Sequence, residues 1–152
     1  MWEVFLCITG ECNLQCRYCY DLAQRKSQSS ALKTCNFSIT DVLNLLEKLS
    51  NQKDSIYIYL YGGEPTLKPQ LLQEWVSKIK EKYPGVYIIL HTNGLLLDTL
   101  SESFFQNLDY ILLSVNMEHQ IVYGAREFYV ITVRDNIKRV KSLRNIPVLL
   151  RL

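Results

Sequence analysis

Five short runs along the chain are apolar almost without interruption: "WEVFLCIT" (2–9), "SIYIYLY" (55–61), "VYIILH" (86–91), "DYILLSV" (109–115) and "PVLLRL" (147–152). Each is rich in β-branched, aromatic or leucine residues and is bounded by turn formers, which predicts five β-strands. Between them apolar residues recur at helical spacing. The first such set is Val42, Leu45, Leu46 and Leu49, behind the cap candidates Ser38 and Thr40. Leu71, Leu72, Trp75, Val76 and Ile79 follow Pro69; then come Leu100, Phe104, Phe105 and Leu108, and last Val133, Ile137, Val140 and Leu143. Nearly continuous apolar strands separated by helices pair in parallel through right-handed crossovers, with helices covering the sheet. The expected fold is therefore α/β, with four βα units and a fifth strand visible in a single domain over residues 1–152. It is either an open doubly wound sheet or a partial (βα) barrel. The polar stretch "QRKSQSSALKT" (24–34) is expected as a loop with Arg25 and Lys26 on a solvated face.

A chain of 152 residues can bury a core without disulfide or metal staples. Its 17 basic and 15 acidic side chains leave a net charge of +2, which is no footprint for nucleic acid. No basic leader precedes the first apolar run, and no stretch approaches the roughly 18 apolar residues that span a bilayer. These features predict a cytoplasmic protein with no membrane or nucleic-acid partner. Five cysteines is an odd count in such a chain, so metal, cluster or thiol chemistry is favoured over a disulfide framework.

Parallel sheets of either kind hold their ligands at the carboxyl ends of the strands. The first predicted strand is followed there by "TGECNLQCRYCYD" (9–21), with Cys12, Cys16 and Cys19. "GGEPTL" (62–67) follows the second and "TNG" (92–94) the third, and the fourth has Ser114 and Asn116 at its end. A structural zinc site takes four closed ligands, usually as two pairs, and would have to recruit Cys7, Cys35 or His91. Cys7 is expected as a small buried hydrophobe and His91 as a hydrogen-bonded rim residue. A catalytic thiol needs one cysteine and a base, which leaves two thiols without a purpose. A four-iron cluster, by contrast, can take three thiolates from one tight loop and keep one iron open. Gly62, Gly63 and Pro65 also suit a plain βα turn, and "TNG" suits a plain Asn-Gly turn.

The run Cys12-x3-Cys16-x2-Cys19, with Tyr18 before its last cysteine, is similar to the signature of the radical S-adenosylmethionine (radical SAM) family. "GGEP" one βα unit later resembles that family's second motif. The resemblance covers essentially the whole chain, although the family barrel typically has six βα units, so the last unit would be lacking. It implies that Cys12, Cys16 and Cys19 ligate three irons of a 4Fe-4S cluster, with SAM chelating the fourth. Tyr18 would lie by the adenine, and Gly62, Gly63 and Glu64 would hold the methionyl amino group. Ser114 would reach the ribose, helped by Asn116 or Asn93. Arg126 would pair with the SAM carboxylate, with Arg134 and Arg139 as competitors for that role.

The resemblance further implies an oxidoreductase-type enzyme that cleaves SAM reductively to a 5′-deoxyadenosyl radical, fed by a reductant such as flavodoxin or ferredoxin. That radical would take hydrogen from a peptide, protein or small-molecule substrate. "CRYCY" with "YGGEPTL" resembles the peptide- and protein-modifying branch more than others. The short chain also resembles activating proteins of glycyl-radical enzymes, whose second motif more often has aspartate where Glu64 stands. A non-catalytic metal-binding scaffold is the remaining alternative. A partner or a missing segment would cover the apolar last strand, which is otherwise an aggregation liability.

Overall fold

The computed structural model describes residues 1–14, 16, 19, 36–115 and 126–151, with only the backbone described for residues 126 and 127. In chain order the elements are β1 (Trp2–Thr9), α1 (Ile39–Ser50), β2 (Ile56–Gly62), α2 (Pro69–Lys82), β3 (Tyr87–Thr92), α3 (Glu102–Gln106), β4 (Tyr110–Ser114), α4 (Arg126–Leu143) and β5 (Val148–Arg151). All five expected strands are present, each within one residue of the sequence pattern. The stretch 24–34, expected as a loop, lies outside the described residues.

The sheet order is β1-β2-β3-β4-β5, and every neighbouring pair is parallel. A doubly wound sheet reverses its strand order at a switch point, whereas a barrel wall adds each strand beside the last. The fold is accordingly a partial (βα) barrel.

Local chemistry explains the helices. Ser38 caps α1: its Oγ accepts from the Asp41 backbone N–H at 3.3 Å, and the Asp41 carboxylate accepts from the Ser38 N–H at 2.8 Å. This reciprocal box satisfies two end donors of the helix. Pro69 opens α2, where its missing N–H costs nothing. The segment expected as a helix through Leu100 and Leu108 is instead a 3-10 turn at Leu97–Thr99 followed by the five-residue α3. Two arginines, one on α4 and one just after it, serve the carbonyls of this segment: Arg139 donates to Leu97 O and Leu100 O, and Arg144 to Phe105 O and Gln106 O. Carbonyls satisfied from outside do not require a longer helix.

Alternation along the strands divides the sheet into two faces. Ile58, Leu60, Ile88, Leu90, Ile111 and Leu113 point to the helices and are buried in one core with Leu46, Leu72, Ile79, Phe105 and Val140. The opposite, inner face is aromatic and partly open. Phe5 stacks on Tyr59 at 4.7 Å between centroids and meets Tyr61 edge-on at 6.0 Å, and Tyr57 stacks on Tyr87 at 4.8 Å. On β5, Leu149 and Leu150 are 52% and 63% exposed, so the sheet edge is apolar. Among the described residues no helix is long and apolar enough to cross a membrane.

Candidate functional site

The exits of β1 and β2 lie in contact. Thr9 faces Gly62 across the ladder after an irregularity between Cys7 and Thr9. Gly63 N–H donates to Thr9 O and Glu64 N–H to Glu11 O, both at 2.7 Å. A Cβ on Gly62, whose φ is +140°, would strike the Thr9 carbonyl, and one on Gly63 would strike the Glu11 carbonyl. The two glycines let the β2 exit lie directly against the start of the cysteine loop. Glu64 is extended (φ −128°, ψ 105°), as a residue before proline should be, and Pro65 opens a 3-10 turn at Pro65–Leu67. The ion pair between Lys68 and Glu11 at 2.6 Å adds a second, solvent-facing tie to the same loop.

The Glu64 side chain is 1% exposed and turns inward. Its Oε1 accepts from Thr66 N–H (3.2 Å), Thr66 Oγ1 (2.6 Å) and Thr92 Oγ1 (2.7 Å), and its Oε2 accepts from Asn93 N–H (2.7 Å). Burial pushes its pKa up, and these hydrogen bonds pull it back in part. The carboxylate thereby clamps the β2 exit to the β3 exit. Asn93 carries the connection onward: its Nδ2 donates to Asn13 Oδ1 at 2.8 Å, beside Cys12, and its Oδ1 accepts from Leu95 N–H at 3.0 Å.

The cysteine loop follows β1. Cys16 is buried, Cys12 and Cys19 are half-buried, and Leu14 between Cys12 and Cys16 in sequence is 2% exposed. Leu14 N–H points at Cys12 Sγ at 3.4 Å, and Cys19 N–H donates to Cys16 O at 3.1 Å. Among the described residues no three His, Cys, Asp or Glu side chains are gathered where a single metal ion could sit. In a four-iron cube each thiolate takes its own iron, so its ligands stand apart rather than closing on one point. Three partly sheltered thiols on one short loop, one of them already met by a backbone N–H, fit such a cluster.

Ser114 ends β4 half-buried and faces Arg151 across the ladder. Arg126 is the first residue of α4. Tyr18 and Asn116 lie outside the described residues, as does Cys35. Of Arg126's competitors, Arg134 is exposed beside Asp135 and Arg139 is committed to the carbonyls beside α3. Cys7 is only half-buried, on the inner face opposite Tyr61, because the aromatic wall there does not close over it. His91 sits half-buried on β3, and burial, then the charge of Arg151, lowers its pKa.

Several site-building residues are not among those singled out from the sequence. Tyr129 of α4 is 1% exposed and donates from its hydroxyl to Asn93 O at 3.2 Å. Burial first, then Cys16 and Glu64, pushes its pKa up to about 12. Asn136 Nδ2 donates to Gly94 O and Leu95 O at 2.9 and 3.0 Å. Two polar residues one helical face apart (129 and 136) could have flagged this side of α4, whereas nothing foretold that Thr92 and Asn13 would partner Glu64 and Asn93.

The family model of the radical SAM superfamily matches residues 6–148. An "uncharacterized ATP-binding protein" of Methanocaldococcus jannaschii is 35% identical over 123 residues, which is 79% of this chain and 30% of that protein. GTP 3′,8-cyclase of Chlorobaculum tepidum is 28% identical over 143 residues, 91% of this chain and 38% of that enzyme. Among solved structures, native anSMEcpe with bound AdoMet and a Cp18Cys peptide superposes with a TM-score of 0.67 at 19% identity, covering 98% of this chain and 42% of that one. The chain thus spans under half the length of each of these proteins. It belongs to the radical SAM superfamily, whose cofactors are a 4Fe-4S cluster and S-adenosylmethionine.

Proposed function

We propose that this chain is the catalytic part of a radical SAM enzyme, in which Cys12, Cys16 and Cys19 hold the cluster and the exits of β2, β3 and β4 hold SAM. The observation that carries this is the direct bonding of Gly63 and Glu64 to the carbonyls of Thr9 and Glu11, which sets a glycine-lined strand end beside a three-thiol loop. When bound, cluster and SAM supply a one-electron cleavage that yields methionine and a 5′-deoxyadenosyl radical able to take hydrogen from a substrate. The protein's own residues position and shelter. Main-chain carbonyls of Gly62, Gly63 and Glu64 are offered to the methionyl ammonium, since the Glu64 carboxylate already serves the sheet. Ser114 and Asn116 take the ribose with Asn93 behind them, Tyr18 takes the adenine, and Arg126 takes the methionyl carboxylate.

The substrate in this reading is a peptide, protein or small molecule bound on the aromatic inner face, with an electron donor of the flavodoxin or ferredoxin kind. A reducing cytoplasm suits Cys7, Cys12, Cys16 and Cys19, which are not joined in disulfides. The apolar β5 edge needs a cover, from a partner or from a segment beyond this sequence. The test is anaerobic reconstitution with iron, sulfide, SAM and dithionite, followed by mass spectrometry. Formation of 5′-deoxyadenosine and methionine that is lost in Cys16→Ala is expected. A colourless protein that retains one zinc per chain would replace the enzyme by a metal-binding scaffold.

A further inference from the structure

Among the described residues, one corner of the inner face has hydrogen-bond donors without acceptors. His91 pairs in register with Leu112, Leu112 with Leu149, and Ser114 with Arg151, so alternation sets His91, Ser114 and Arg151 on the same face at the carboxyl ends of β3, β4 and β5. The field of Arg151 felt by His91 agrees with that placement. The other arginines whose side chains are described all have acceptors: Arg134 has Asp135, Arg139 has Leu97 O and Leu100 O, and Arg144 has Phe105 O and Gln106 O. Among the described residues Arg151 has no hydrogen-bonded or ionic partner, nor has the imidazole of His91. Among the described residues no carboxylate is paired with either. Glu3 lies at the opposite end of the strands, where it accepts from Tyr59 at 3.1 Å, and Glu64 is turned into the sheet with its oxygens engaged.

A guanidinium on β5 and a half-buried imidazole on β3 share one face of a wall of tyrosine and leucine, and among the described residues neither has an acceptor. The planar fork of arginine matches the two oxygens of a carboxylate or phosphate, and partial desolvation strengthens the pair. We propose that His91 and Arg151 form an oxyanion-binding corner of the substrate pocket, receiving a carboxylate or phosphate group of the substrate while the rest of that molecule lies along the aromatic face. This rests on the reading of the inner face as the substrate side of a radical SAM site, and it adds a requirement that reading lacks: the substrate carries an anionic group.

The same corner lies near the expected SAM site, so the test must separate the substrate's oxyanion from the carboxylate of SAM. Anaerobically cluster-loaded chain is titrated calorimetrically with inorganic phosphate, pyrophosphate and acetate at constant ionic strength, with and without saturating SAM. Saturable binding is expected, retained with SAM present, weakened tenfold or more in Arg151→Gln and less in His91→Gln; the tighter of acetate and the phosphates names the group. Arg151 is exposed at a strand end, so its replacement should leave iron content and the circular dichroism spectrum unchanged. Binding abolished by SAM would hand the corner to SAM's own carboxylate and overturn the substrate assignment. Absent binding, or binding unchanged in Arg151→Gln, would overturn the corner itself. Iron content and 5′-deoxyadenosine formation report on the cluster reading independently of both outcomes.

Discussion

Replacing Glu64 tests whether its carboxylate is a structural clamp. Four donors converge on it: the backbone N–H groups of Thr66 and Asn93 and the hydroxyls of Thr66 and Thr92. In Glu64→Ala the hydroxyls can rotate towards other acceptors, but the two backbone N–H groups cannot. Each unsatisfied buried donor costs about 1–3 kcal/mol, so the substitution should destabilise the chain by about 3–5 kcal/mol. Glu64→Gln keeps an acceptor for Thr66 and Thr92 but turns an NH2 towards Asn93 N–H, at a cost of about 1–3 kcal/mol. Urea unfolding followed through Trp75, which is 3% exposed, measures both. The pH dependence is a second handle. Because burial raises the folded pKa above the ordinary 4.5, the folded chain binds the proton more tightly. The associated stability is fully present below 4.5 and is lost as pH rises through the folded value, a slope that Glu64→Gln removes. A loss under about 1 kcal/mol in Glu64→Ala, with an unchanged denaturant slope, would refute the clamp.

Gly63→Ala should cost about 2 kcal/mol or more and lower iron uptake, because its Cβ meets the Glu11 carbonyl rather than a side chain that could move; iron assay after reconstitution and urea unfolding read the two effects. Cys16→Ala should lose most cluster absorbance and iron, whereas Cys7→Ala, on the inner face opposite Tyr61, should retain both. Tyr129→Phe removes one hydrogen bond to Asn93 O and should cost about 0.5–1.5 kcal/mol in thermal or urea unfolding.

The strands were legible because their signal is local: β-rich runs such as "SIYIYLY" and "VYIILH" need no knowledge of their neighbours to be read as strands, and helical crossovers imply parallel pairing, while the strand order that separates a barrel from a doubly wound sheet came only with the structure. The cysteine spacing was legible for the same reason. Wiring between strand exits was not, since it joins residues far apart in sequence, Glu64 to Asn93 across 29 positions and Asn93 to Asn13 across 80. An isolated Glu in a "GGEP" turn looks like a group offered outward, and only the placement of Thr92 and Asn93 beneath it shows that its oxygens face in. The short α3 was missed on similar grounds, because the arginines that satisfy the carbonyls in and around it, Arg139 on α4 and Arg144 just after it, come about 40 residues later. These misses share one physical cause: a polar side chain's partner is set by the tertiary fold, while an apolar side chain's periodicity is set by its own element. The Glu64–Asn93–Asn13 chain gives that distinction a functional consequence. It joins the exits of β2 and β3 to the residue beside Cys12, so the geometry of the cysteine loop depends on a carboxylate 52 positions away in sequence from Cys12, and a substitution at Glu64 should disturb that loop without touching any of its thiols.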